Sequence, residues 1–266
     1  MKMCGVFGFA LTESIPMTKV LKVLEKLEVH QYPHELKPVG GYGAGLAVLK
    51  DDGTIVLEKV GRIDEFPARC LSEIVKVREA AVLVGHVRMP SPQFMDTARF
   101  KGTAQPYVTK CYKGLTVVSI HNGSVTNYEE IRKKLGVTHV LESEEVEFID
   151  SEAIPHIFED LLEEKQDFDE ALYSLFCTLQ GSSAISLLQV NNGSAFLHFI
   201  HKGKTRGLTI WTNEQNELIF CSRKEPLIGE FSDIFSRGKF KERISIAYRE
   251  DVGLKLSYPL ALRVKG

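Results

Sequence analysis

An α+β sandwich is the fold this sequence predicts, and three observations carry it. Short apolar runs of strand length recur along the chain, and two amphipathic helices sit together in its middle, over 150–164 and 167–179. Turn signals such as Asp51-Asp52-Gly53-Thr54 and Asn191-Asn192-Gly193 separate the apolar runs. Many strands with helices grouped between them suit sheets covered by helices.

Taken in order, Gly5 to Leu11 reads as a buried strand, and Pro16 opens a helix. On that helix Val20, Leu21, Val23, Leu24 and Leu27 share a face, while Lys19, Lys22, Glu25, Lys26 and Glu28 take the other. The stretch from His30 to Gly43 is rich in His, Pro and Gly and reads as a loop. Ala44 to Leu49 and Ile55 to Val60 form a predicted hairpin, Ala68 to Val77 a short helix, and Ala80 to His86 a strand leading to Arg88. Met89 to Lys113 is a long loop, of the kind that in compact domains tends to carry function. Leu115 to Ile120 is the next strand, broken at His121-Asn122-Gly123, and Asn127 is placed to cap a short helix with Glu129 and Glu130 in its first turn. After Ser182 only strands are predicted: 184–190, 195–201, 208–212, 218–222, 244–248 and 255–264.

The composition is that of an ordinary globular chain: 266 residues, 44% apolar and 26% charged, with a net charge of −2. Expect one domain. No run of like charges offers a face for nucleic acid or anionic lipid, so neither is an expected partner. No apolar run is long enough to span a bilayer and no signal peptide is evident, which predicts a cytoplasmic location. The five cysteines, Cys4, Cys70, Cys111, Cys177 and Cys221, are odd in number and never spaced Cys-x-x-Cys; the last four read as buried thiols. The eight histidines show no His-x-x-x-His or His-Glu-x-x-His spacing, so neither a metal nor any other cofactor is expected.

Chemistry concentrates at Met3-Cys4-Gly5-Val6-Phe7-Gly8. A cysteine freed at its amine carries a thiol nucleophile and an α-amine with an unperturbed pKa of about 7.7–8.0, so one residue supplies nucleophile and base. A lone cysteine near a terminus is otherwise a small buried apolar residue, and the case for catalysis has to come from downstream.

It comes from three further segments: Gly85-His86-Val87-Arg88-Met89-Pro90-Ser91, His121-Asn122-Gly123-Ser124-Val125-Thr126-Asn127-Tyr128 and Asp150-Ser151-Glu152. With the N-terminal segment, in this order and at these separations, they resemble the class II glutamine amidotransferases, N-terminal nucleophile hydrolases that release ammonia from glutamine. The relatives in view are the glutaminase domains of glutamate synthase, amidophosphoribosyltransferase and glucosamine-6-phosphate synthase. Gly41-Tyr42-Gly43-Ala44-Gly45-Leu46, Ala104-Gln105-Pro106-Tyr107 and Phe220-Cys221-Ser222 agree with the same family.

The resemblance implies a four-layer αββα sandwich over residues 4–266, no cofactor, and a Cys4 γ-glutamyl thioester as intermediate. It implies that Arg88 binds the α-carboxylate of glutamine, a task suited to a planar bidentate donor, and that Asp150 takes the α-ammonium. Asn122 and the Gly123 backbone N–H match the oxyanion hole, while Ser91 and His121 fall in the substrate pocket. Residues 1–3 depart from the pattern, since Met1-Lys2-Met3 precedes Cys4; they are expected to be removed or untranslated in the active form. The resemblance stops with the glutaminase domain, which implies an ammonia-accepting synthase subunit as partner and leaves homo-oligomerisation open. The stretch from Arg99-Phe100 to Gln105-Pro106 leans towards a glutamate synthase-like or amidophosphoribosyltransferase-like acceptor. Two rival readings are a γ-glutamyl amide hydrolase with no ammonia acceptor and a non-catalytic glutamine-sensing subunit.

Overall fold

A computed structural model describes residues 4–260, apart from 34, 64–65, 137, 205–206 and 248–249. The Met1–Met3 segment, and with it the expected processing, lies outside the described residues, as does the end of the last predicted strand.

The N-terminal strand stands at the centre of one sheet. β1 (Gly5–Pro16) runs into α1 (Met17–Val29), followed by β2 (Gly43–Leu49), β3 (Ile55–Gly61), α2 (Pro67–Ile74) and β4 (Glu79–Val87). β5 (Tyr107–Thr109) and β6 (Leu115–Gly123) come next, then α3 (Tyr128–Lys134), α4 (Ala153–Lys165) and α5 (Phe168–Thr178). The chain continues through β7 (Ser183–Asn191), β8 (Ser194–Lys202), β9 (Leu208–Thr212), β10 (Leu218–Cys221), α6 (Lys224–Gly238), β11 (Lys241–Ile246) and β12 (Leu254–Leu260).

The strands form a seven-stranded sheet, β11-β9-β10-β1-β4-β2-β3, and a five-stranded sheet, β12-β8-β7-β6-β5. Alternation along each strand divides the apolar side chains between two faces. Val6, Ala10, Ala47, Val84 and Phe220 from the larger sheet meet Val118, Ile120, Leu188 and Phe199 from the smaller one. The opposite face of the larger sheet, Phe7, Phe9, Leu46 and Ile219 among it, is covered by Val20, Leu24 and Leu27 of α1, Leu71 of α2 and Phe231 of α6. The other face of the smaller sheet packs Val117, Ile185 and Leu187 under Phe158, Leu172 and Leu175 of α4 and α5. Helix, sheet, sheet, helix is the four-layer αββα arrangement that the resemblance implies. Each fully buried Leu, Ile or Phe in these layers contributes about 1.5–3 kcal/mol, which makes the two sheets a rigid support for their ends.

Several sequence expectations shift. The helix α6 falls where only strands are expected; its apolar residues Leu227, Phe231 and Ile234 recur at helical spacing and are buried. β6 is not broken at His121 but continues through Gly123, because β7 pairs with it as far as Gly123 opposite Ser183. Asn127 makes no side-chain cap on α3; instead it binds the Thr178 carbonyl and the Gln180 N–H, tying that turn to the end of α5. The long loop after Arg88 contains two short 3-10 turns, over Pro92–Thr97 and Lys101–Thr103, and the strand β5. Of the four cysteines read as buried thiols, only Cys221 is; Cys70 and Cys111 are half-buried and Cys177 is exposed on α5, whose buried residues are Ala171, Leu172 and Leu175.

Candidate active site

Four chain segments end together because of antiparallel register. Gly5 pairs with Val87 across β1 and β4, so Cys4 before one strand and Arg88 after the other leave the sheet at the same end. Ala44 of β2 also pairs with Val87, and the Arg88 N–H donates to the Gly43 carbonyl at 2.7 Å, which holds Arg88 beside the sheet end. Gly43 has a φ of +147°, in the region that favours glycine. From the facing sheet, β6 brings Asn122 to this point.

The Cys4 backbone N–H donates to Asn122 Oδ1 at 3.1 Å, a direct link between the sheets. The Cys4 sulfur accepts the Met89 N–H at 3.3 Å, and its thiol reaches the Met89 carbonyl at 3.5 Å.

Arg88 is buried, and its guanidinium donates to Thr103 Oγ1 at 2.5 Å and to Thr97 Oγ1 at 2.8 Å. Those hydroxyls donate onward to the Phe94 and Thr97 carbonyls, both at 2.8 Å, so the loop after Arg88 is folded around its side chain. Burial holds the Arg88 pKa below its ordinary value, while Tyr107, Cys4 and Asp150 act in the opposite direction. Cys4 and Asp150 thus both lie within electrostatic reach of Arg88.

Asp150 begins the short 3-10 turn Asp150–Glu152 ahead of α4. Its Oδ2 accepts the Val125 N–H at 2.9 Å, and Oδ1 accepts from Ser151 Oγ at 3.3 Å. Burial pushes the Asp150 carboxyl above its ordinary value; the hydrogen bonds from Val125 and Ser151 and the charge of Arg88 pull it back. Asp150 does not cap α4, whose cap position is Glu152.

His121 has Nδ1 2.8 Å from Ser151 Oγ and Nε2 3.0 Å from Ser183 Oγ, so its ring braces the Asp150 turn against β7. Gly123 must remain without a side chain: a Cβ there would stand 2.3 Å from the Ser182 carbonyl and 2.4 Å from His121 Nε2. Ser91 is half-buried at the head of the Pro92–Thr97 turn, where its carbonyl accepts the Phe94 N–H at 3.0 Å.

Cys4, Asn122, Arg88 and Asp150 are therefore gathered, and the His121 ring lies between Ser151 and Ser183. Sequence reasoning missed Thr97 and Thr103, and it assigned no role to Gln105, whose side chain clamps the His121 backbone through Oε1 at 2.6 Å and Nε2 at 3.2 Å. The one signal for them is their place in a loop too long to be a mere connection.

An αββα sandwich with a cysteine at the start of its central strand has the architecture of the N-terminal nucleophile hydrolases. Comparison with known proteins defines the family: residues 95–229 match the profile described as glutamine amidotransferase domain, and the chain belongs to this family, in its class II. Curated relatives include glutamine–fructose-6-phosphate aminotransferase (isomerizing) from Bacillus thuringiensis subsp. konkukian, 33% identical over 71% of this chain and 28% of the relative. The same enzyme from Sulfurisphaera tokodaii is 28% identical over 75% of this chain and 30% of its own length. The chain thus spans less than a third of these curated relatives. Among solved structures, glutamine phosphoribosylpyrophosphate amidotransferase from B. subtilis superposes with a TM-score of 0.58 at 16% identity, over 92% of this chain and 46% of that one. The allosteric regulatory enzyme of purine biosynthesis gives 0.61 at 14% identity, over 92% and 45%. These likenesses show the fold. Among the described residues no helix is long and apolar enough to cross a membrane.

Proposed function

We propose that residues 4–266 are one glutaminase domain that hydrolyses glutamine to glutamate and ammonia through a thioester on Cys4. The observation that carries the reading is the 3.1 Å contact between Cys4 N and Asn122 Oδ1, which sets the nucleophile beside a side-chain amide suited to an oxyanion.

In this reading Arg88 binds the α-carboxylate of glutamine and Asp150 its α-ammonium, leaving the side-chain amide to reach Cys4. The active form begins at Cys4, after Met1–Met3 are removed or left untranslated. The free α-amine accepts the thiol proton, and the thiolate attacks the amide carbon. The oxyanion so formed is held by the Asn122 side chain and the Gly123 N–H. The C–N bond breaks, the nitrogen takes the proton from the α-ammonium, and ammonia leaves a γ-glutamyl thioester on sulfur. Water, deprotonated by the same amine, opens the thioester to glutamate and restores the thiol. Ser91 lines the pocket, and His121 serves it by fixing the turn that carries Asp150.

The ammonia passes to a synthase subunit. The names of the curated relatives join glutamine to an acceptor, fructose 6-phosphate, which supports use of the nitrogen in synthesis over its release.

The test is an acid quench of glutamine turnover followed by mass analysis of the Cys4 peptide. A γ-glutamyl adduct on Cys4, absent from Cys4→Ala, is expected in protein beginning at Cys4. Full activity in protein that retains Met1, or in Cys4→Ala, would overturn the mechanism. Preference for other γ-glutamyl amides over glutamine would instead identify an amide hydrolase, and binding without turnover a sensor.

A further inference from the structure

A second cluster of reactive side chains lies behind the Asp150 turn. Cys111 follows β5, His139 lies in the segment between α3 and the Asp150 turn, and His156 and Glu159 stand three residues apart on α4. One donor atom from each of the four lies within 4.8 Å of all the others. His139 Nδ1 is 2.9 Å from His156 Nδ1, and Cys111 Sγ is 3.8 Å from the same nitrogen. With zinc bonds of about 2.0–2.3 Å, a tetrahedral site separates its donors by roughly 3.3–3.8 Å. The separations of 2.9 and 3.8 Å and the 4.8 Å limit bracket that range.

The surroundings are those of a metal site. His139 Nε2 is 2.8 Å from Asp160 Oδ1, an arrangement that places the ring proton on Nε2 and turns the Nδ1 lone pair towards the cluster. His156 has a carboxylate on its outer side too: Glu152 Oε1 lies 4.0 Å from Nε2. A carboxylate hydrogen-bonded to the outer nitrogen, as Asp160 is to His139, orients the ring as a ligand. Glu159 is fully buried; its Oε1 accepts the Cys111 N–H at 2.8 Å, while its Oε2 has no hydrogen-bond partner among the described residues. A buried carboxylate oxygen left without a donor is costly, and a cation beside it removes that cost.

We propose that Cys111, His139, His156 and Glu159 bind one zinc-class divalent cation. A thiolate, two imidazoles and a carboxylate form a tetrahedral set that selects zinc over the hard cations calcium and magnesium. All four positions are filled by protein, which makes the site structural: it staples the 139 segment and the Cys111 turn to α4, just behind the turn that carries Asp150. The sequence spacing conceals it, since only His156 and Glu159 come from one element. The proposal stands apart from the glutaminase reading, because its readout is metal binding.

The test uses the whole chain, stripped with a chelator and titrated with Co²⁺ as an optical probe and then with Zn²⁺. One equivalent of cobalt per chain should give the intense d–d absorption of a tetrahedral site with a thiolate-to-cobalt charge-transfer band, and zinc should displace it. Cys111→Ser should lose the charge-transfer band, and Asp160→Asn should weaken uptake by about 10–100-fold. No stoichiometric uptake by the unaltered protein, or an unchanged spectrum in Cys111→Ser, overturns the proposal. The measurement on unaltered protein decides the matter even if a variant fails to fold.

Discussion

Asn122 Oδ1 accepts the backbone N–H of Cys4 at 3.1 Å, so the facing sheets are joined at the proposed nucleophile. With the oxygen engaged there, the amide's two N–H donors are left for another acceptor, which in the proposed reaction is the oxyanion. Asn122→Ala should lower kcat for glutamine by about 10²–10³ with little change in KM. Steady-state glutamate release checks it, and an undiminished kcat would place the oxyanion donors elsewhere.

Arg88 is positioned by two threonine hydroxyls, which makes its fork geometry as important as its charge. Arg88→Lys keeps the charge and removes the fork. At about 1.5–3 kcal/mol for a hydrogen bond to a charged group, KM should rise roughly 10- to 150-fold while kcat changes little. Thr103→Val should move KM in the same direction, because it leaves a buried guanidinium N–H without its acceptor. Initial-rate kinetics over a range of glutamine concentrations separates the two parameters.

Asp150 supplies a pH dependence whose sign is set by burial. Its folded pKa is raised above 3.8, so its protonation, and the loss of its hold on an ammonium, begins at a higher pH than for an exposed aspartate. KM for glutamine should climb on acidification in that range, and Asp150→Asn should raise KM and flatten this limb. For stability the sign is opposite: a carboxyl with a raised folded pKa costs least at low pH, and the cost grows as pH rises through that pKa. A KM that stays level as pH approaches 4 would remove Asp150 from ammonium binding.

Buried neutral histidines should make the fold acid-labile. Burial holds His86 down to about 3 and His198 down to about 4, against 6.5 in the unfolded chain. Between those values the unfolded state binds the protons, so stability is lost as pH falls below 6.5. From pH 7 to pH 5 each should cost about 2 kcal/mol. Urea denaturation at the two pH values measures the loss. His198→Gln, remote from Cys4 and bonded in the wild type to Gln189 and Ser257, should lessen the difference.

How far the candidate site could be read from sequence depended on whether a residue is proposed to meet glutamine or only supports one that is. Cys4, Arg88, Asn122 and Asp150 each sit in a short motif whose residue type matches one chemical handle of glutamine. Thr97 and Thr103 do not, and Gln105 lies in a motif that carries no role for it. Their role exists only because the loop after Arg88 turns back on the guanidinium and on the His121 backbone. The helix α6 shows the same limit on the fold side: its apolar periodicity is present, but its Phe231 is drawn into the core by Phe9 across the sheet.

By itself the sequence determined the layers, because alternation in strands and helical spacing decide which faces are apolar, and those faces must be buried. It also determined the four residue types on which the chemistry rests, since local motifs carry them. Only the tertiary structure decided register and proximity. Pairing of Gly5 with Val87 brings Cys4 to Arg88, and the meeting of two sheets brings Asn122 to Cys4. The same physics gathers Cys111, His139, His156 and Glu159 from three separate segments. Long-range contacts of this kind are set by packing and strand register, which no local spacing in the chain records.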